Sequence, residues 1–206
     1  MKRVIGKTSP LLVFFIFSLA VFAAGDKFES IKKEFTSAKL IRFEVATATV
    51  SKLFDDIDSA RGEILIAYDG RYNARLNDDI YLFDGRCIWE ISGANRQATK
   101  QCLKEGEKFE NRLFFIKELD KYFSTSIIKK DRQYQLRRNA ESDNALPDSL
   151  MVYLNKSGSN ISRLEYYDLN GDLNRVHILD REISSAISED DFRINLPDSI
   201  EVITLP

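Results

Sequence analysis

From Ile41 to Leu196 the chain returns again and again to one pattern, an apolar residue at every second position for a few steps and then a turn signal. The sets are Ile41, Phe43, Val45; Ile64, Ile66, Tyr68; Ile80, Leu82; Cys87, Trp89, Ile91; Tyr134, Leu136; Leu150, Val152, Leu154; Leu164, Tyr166; Val176, Ile178; and Phe192, Ile194, Leu196. A period of two with polar residues between is the mark of half-buried antiparallel strands. Asp69–Gly70, Asp84–Gly85, Gly93–Ala94–Asn95, Ser157–Gly158–Ser159 and Asn170–Gly171 punctuate them, the last read as a type I′ turn. So many short strands with one apolar face cannot stay flat, so a strongly curved, mainly β fold is expected. Its parity places Phe43, Ile64, Ile66, Trp89, Leu164 and Ile178 on the concave face.

Two stretches depart from that period. Phe28, Ile31 and Phe35, with Ala38, recur at helical spacing among Lys and Glu. Phe109, Leu113, Phe114, Ile116, Leu119 and Phe123 do the same, and Phe115 and Tyr122 widen that stripe beyond one face. Helices lying over the concave side close the fold. If they pack tightly the interior is plain core; if they do not, it is a ligand cavity. The pattern allows both.

The first 25 residues are of another kind. Lys2, Arg3 and Lys7 precede an apolar run, Leu11 to Phe22, that ends in Ala23–Ala24–Gly25. Twelve helical residues span about 18 Å of a roughly 30 Å hydrocarbon core, too short for a crossing. The segment reads as a secretory signal over residues 1–23, cut after Ala23, Ala24 or Gly25, with an uncleaved anchor as the other reading. Residues 24–206 are then expected to form one domain, and the run has no following Cys for lipidation.

Charge and residue usage exclude several functions. The chain has 30 Lys and Arg against 32 Asp and Glu. Three of those cations precede Asp26, so the remainder is acidic by five, a poor match to nucleic acid. One His and two Cys cannot build a zinc cage, and no cofactor or metal is expected. With His177 the only imidazole, nucleophilic triads are improbable. Asp168 to Asn174 resembles a calcium loop only until Leu173 and Leu179 occupy the positions that require Gly and Glu. The carboxylates at Asp55–Asp56–Asp58, Asp78–Asp79 and Glu189–Asp190–Asp191 fall between strands, where acids serve turns and solvation. A hydrolase using them is the weakest functional reading.

Cys87 and Cys102 flank the Gly93–Ala94–Asn95 turn. With Ala94–Asn95 as a two-residue loop, Trp89 faces Lys100 and Cys87 faces Cys102 on one side of the sheet, so a cross-strand disulfide is geometrically available; two buried thiols are the alternative.

The order of these elements resembles a known family. Gly62–Glu–Ile64–Leu–Ile66–Ala–Tyr68–Asp–Gly–Arg71–Tyr72 is followed by Ile80–Tyr–Leu–Phe83–Asp84–Gly85–Arg–Cys–Ile–Trp89 and then Gln97. Ile161 to Gly171 gives an apolar strand ending in D-x-x-G, and Phe192–Arg–Ile194–Asn–Leu–Pro197–Asp–Ser–Ile200–Glu–Val202 a terminal F-x-(apolar)-x-x-P-x-x-(V/I)-x-V. Together, over residues 28–203, this is similar to the LolA family, periplasmic carriers of lipoproteins. One position departs: Tyr68–Asp69 stands where the family has Arg-Pro, the Arg that ties its lid to the barrel.

The resemblance implies an unclosed β-barrel under a helical lid, with no enzymatic activity, in a monomeric protein of the periplasm. It implies a cavity for lipoprotein acyl chains lined by Phe43, Val45, Ile64, Ile66, Tyr68, Leu82, Trp89, Ile91, Leu113, Phe114, Phe115, Leu164, Tyr166, Val176 and Ile178. An inner-membrane ABC transporter as donor and an outer-membrane receptor as acceptor come with it. The alternative on the same scaffold is a lipid or lipoprotein sensor like the RseB-like stress regulators.

Overall fold

The computed structural model describes residues 26–54, 56–104, 106, 116–142 and 146–205. The expected signal segment, and Leu113, Phe114 and Phe115, lie outside them. Among the described residues no helix is long and apolar enough to cross a membrane.

The chain opens on helix α1, Lys27–Ser37. Asp26 caps it, its carboxylate accepting the Phe28 N–H at 2.9 Å, and Ala38 ends it by turning extended. Twelve strands follow among the described residues: β1 Leu40–Val50, β2 Ile57–Ala67, β3 Tyr72–Leu76, β4 Asp79–Phe83, β5 Cys87–Ser92, β6 Gln97–Cys102, β7 Phe123–Lys129, β8 Gln133–Arg138, β9 Ser149–Leu154, β10 Ile161–Tyr167, β11 Leu173–Ser184 and β12 Glu201–Leu205. A one-turn helix α2, Leu119–Tyr122, precedes β7. The strands form one sheet in the order β12-β6-β5-β4-β3-β2-β1-β11-β10-β9-β8-β7, so among the described residues β12 and β7 are its edges and the barrel is unclosed. The expected architecture, a strongly curved sheet with a helix on its apolar face, is the one observed.

That order resolves into two meanders, β1 to β6 and β7 to β11, joined at the single seam between β1 and β11. Gly62 shows why β2 needs a glycine near its middle. A Cβ there would stand 1.7 Å from the Arg75 carbonyl oxygen of β3, so no larger residue fits without moving backbone.

The structure corrects four expectations. Phe123 starts β7 rather than ending a helix, because the second helical stripe gives way to strand after Tyr122. Phe192, Ile194 and Leu196 are not a strand: Phe192 closes a 3-10 turn, Glu189–Phe192, and the next residues are irregular. The last strand is β12, and it runs parallel to β6, so the sheet is not wholly antiparallel. At Asn170–Gly171 the turn is not type I′, since Gly171 alone has positive φ, at 82°. The Gly171 N–H reaches the Asp168 carbonyl and Asp168 N–H the Asp172 carbonyl, the geometry of a tight turn followed by a left-handed glycine.

Candidate functional site: the concave face beneath the first helix

The apolar stripe of α1 decides where the core sits. Phe28, Ile31 and Phe35 are buried against Ile41, Phe43 and Val45 of β1, Ile66 of β2, and Tyr134, Leu136, Leu150 and Val152 of the second meander. Phe28 stacks tilted on Tyr134 with ring centroids 4.6 Å apart, and Phe35 meets Phe43 edge-on at 5.7 Å. Along β1 the residues up to Val45 are mostly buried, whereas Ala46 to Val50 are only half covered. Beyond the helix a half-buried apolar strip continues over Ile64, Leu76, Tyr166, Val176 and Ile178. Burial, with Asp168 nearby, raises the Tyr166 pKa, so its phenol stays neutral within this strip.

Polar contacts at the rim hold the helix down. The Tyr134 hydroxyl, wholly buried, donates to Asp26 at 2.6 Å and accepts the Asp131 N–H at 3.0 Å. Burial first, and then the hydrogen bond to Asp26, pushes its pKa up to about 12. Arg181 of β11, on the concave side, pairs with Glu34 at 2.9 Å and lies 5.4 Å over the Phe35 ring. Lys32 reaches Asp120 of α2, and the Lys117 ammonium donates to the Ala38 carbonyl at the end of α1. Burial lowers the Lys117 pKa against opposing pulls from Asp69 and Glu118.

The register sorts the expected cavity residues into groups. Phe43, Val45, Ile66 and Leu164 lie on the concave face and are fully covered core under α1 and its neighbours. Ile64, Tyr166, Val176 and Ile178 lie on the same face and are half covered. Leu82, Trp89 and Ile91 do not join them. Leu65, Asn73, Leu82 and Trp89 stand opposite one another across β2 to β5, and Leu65 alternates with Ile64 and Ile66, so this row faces outward. Tyr68 lies in the β2–β3 turn, 59% exposed, its N–H bonded to the Lys39 carbonyl. Cys87 also faces outward; it stands opposite Cys102 and the two are joined by a disulfide.

Leu82 and Ile91 are nonetheless buried, and the convex face has a cover of its own over Leu40, Leu65 and Ala67. The segment after β11 crosses it as a strap. Phe192 packs with Leu40, Leu65 and Ala67, and Ile187 joins them. Buried Asn73 donates to the Asp191 carbonyl at 2.6 Å, and Arg71 grips Glu189 through both terminal nitrogens while its guanidinium stacks 4.8 Å over Phe192. A cleft of about 400 Å³ opens beside the strap between Arg71, Asp84, Trp89 and Ile194, with every carboxylate in it already bonded to an Arg or to the Asp84 turn and Trp89 indole. The sequence carried a signal for this cover: Ile64–Leu65–Ile66–Ala67 is apolar without alternation, as a strand covered on both faces must be. Among the described residues no cluster of His, Cys, Asp and Glu is arranged to hold a metal ion.

No protein-family model and no curated protein matches this sequence. Solved structures of similar shape include a LolA superfamily protein, NE2245, from Nitrosomonas europaea, 12% identical over 81% of this chain and 97% of that one, with a TM-score of 0.41. A domain from Vibrio parahaemolyticus named for outer membrane lipoprotein sorting is 9% identical over 81% of this chain and 94% of that one, at 0.42. The complex of MucA and MucB from Pseudomonas aeruginosa gives 12% identity over 87% of this chain and 62% of that one, at 0.35.

Proposed function

We propose that the protein is a periplasmic carrier that shelters the acyl chains of lipoproteins against the concave face and moves them from inner to outer membrane. The observation behind this reading is the half-covered apolar strip of Ile64, Leu76, Tyr166, Val176 and Ile178, continuous with a core covered by α1, a helix held at its rim by polar contacts. The energies are compatible with cargo entering. An acyl chain of ~16 carbons gains roughly 12 kcal/mol by leaving water. Freeing Phe28, Ile31 and Phe35 from the sheet costs about 6 kcal/mol on the same scale. A lipid chain therefore outweighs the helix it displaces, and the helix can return when the chain leaves.

In this reading residues 1–23 are removed on export, residues 24–206 act as one lipid-carrier domain, and Leu113, Phe114 and Phe115 complete the lining. A transporter in the inner membrane and a receptor in the outer membrane supply and accept the cargo, and no bond is made or broken by the protein. The experiment is native mass spectrometry of the protein purified from periplasm. A co-purifying lipidated polypeptide, displaced by added palmitate, is expected; a folded protein that carries no acylated mass and takes up no fluorescent fatty acid sinks the carrier reading.

A further inference from the structure

Five large apolar side chains stand in water at one end of the barrel: Leu53 (80% exposed) and Phe54 (78%) from the β1–β2 connection with Ile57 (67%) at the start of β2, and Leu169 (82%) from the β10–β11 turn with Tyr167 (64%) at the end of β10. The two connections are neighbours because β1 pairs with both β2 and β11, so that Val50 faces Ile57 on one side and Leu173 on the other. They are also fastened together: the Lys52 N–H donates to the Asp172 carboxylate at 2.8 Å and Thr49 donates to Asn174 at 2.8 Å. Each turn is built internally. Ser51 Oγ accepts the N–H groups of Leu53 and Phe54, and the Asp168 carboxylate accepts those of Asn170 and Asp172. Apolar side chains displayed on two ordered, mutually bonded turns contribute nothing to the core, and clustered exposure of this kind marks a contact surface.

The charges beside them select the occupant. Among the described residues these turns and their flanks carry Lys52 against Asp56, Asp58, Asp168 and Asp172. Hydrogen bonds from Asp172, Asn174, Asn170 and Gly171 outweigh burial and hold Asp168 below the usual carboxylate range. An anionic bilayer and a second copy of the chain are both repelled by such a collar, since each brings negative charge to negative charge. We propose that the paired turns are a docking knuckle for a partner protein that offers an apolar pocket rimmed by Lys and Arg. The proposal does not depend on what the concave face carries.

The test places a photoreactive benzoylphenylalanine at Phe54, at Leu169 and, as control, at exposed Ile128 on the β7 edge, in cells making the full chain. The adduct formed from the first two positions is identified by mass spectrometry. That protein is then purified and its affinity measured for wild type, for the triple variant Leu53→Ser, Phe54→Ser, Leu169→Ser, and for Asp56→Asn with Asp58→Asn. The expected result is one protein adduct absent from the control, a Kd weakened about tenfold or more by the triple variant, and a clear weakening by the Asn pair and by salt raised from about 0.05 to 0.5 M. Unchanged melting of the variants shows that the fold is intact. No protein adduct, an affinity indifferent to the acids, an adduct to a second copy, or co-sedimentation of wild type with phosphatidylethanolamine–phosphatidylglycerol vesicles that the triple variant loses would each overturn it.

Discussion

Tyr134 joins two kinds of interaction in one side chain: its ring packs on Phe28 and its hydroxyl completes the cap of α1 through Asp26. Tyr134→Phe keeps the packing, leaves the Asp131 N–H without its acceptor and takes one of two bonds from the Asp26 carboxylate, for a loss of about 1–2 kcal/mol in urea melts. The pH dependence follows from the raised pKa. Below about 10 the phenol is protonated whether the chain is folded or not. As pH rises from there toward about 12 only the unfolded chain releases the proton, so wild-type stability falls across that window. Denaturation midpoints measured between those values should decline more steeply for wild type than for Tyr134→Phe. The sequence showed Tyr134 as a core residue by its alternation with Leu136 but could not show the hydroxyl's partner, which is more than a hundred positions away. Parity reads the direction of a side chain and says nothing about what meets it.

At the scale of elements, α1 and the strap are two covers on opposite faces, and they should fail separately. Arg181→Ala removes the pair to Glu34 and the contact over Phe35. Because Glu34 is partly exposed, the loss in global stability should be only about 1 kcal/mol. The larger effect belongs to the proposed carrier role: faster uptake of a fluorescent fatty acid, read by stopped flow, since the helix loses a tether without losing its apolar face. Phe192→Ala empties the convex contact and should cost about 3 kcal/mol. Amide exchange should then quicken around Leu40, Leu65 and Ala67 while the Phe28 contacts remain protected. The same pair of covers explains what the sequence hid. The period of two placed Phe43, Ile64, Ile66, Leu164 and Ile178 correctly on the concave face, because β1, β10 and β11 carry polar residues between their apolar ones and β2, apolar on both faces here, sets Ile64 and Ile66 opposite Phe43 and Ile41. Trp89 and Leu82 failed because β4 and β5 turn their apolar row, Leu82, Trp89 and Ile91, to the convex face, and alternation cannot say to which side of the sheet an apolar row points. The strap itself has almost no period, having neither strand nor long helix to impose one.

For the whole molecule, the Cys87–Cys102 link closes a loop within the meander that ends in β6, against which β12 is laid in parallel. Replacing both cysteines by Ala should lower stability by about 3 kcal/mol, the loop-entropy value for a separation of 15 residues, as measured by differential scanning calorimetry against the oxidised protein. The seam between β1 and β11 has a different consequence, one of time. Each meander assembles from hairpins between neighbours in sequence, but Phe43 and Val45 find Arg181 and Ile178 only after nearly the whole chain has been made. Pairings of such long sequence separation form slowly. Until β11 arrives, β1 is an edge strand whose backbone N–H and C=O groups on that side are unpaired, a template for any other unfinished chain. Refolding yield should therefore drop as protein concentration rises, while the equilibrium unfolding midpoint stays where it is. The strand at the centre of the finished sheet is the one that waits longest to be enclosed.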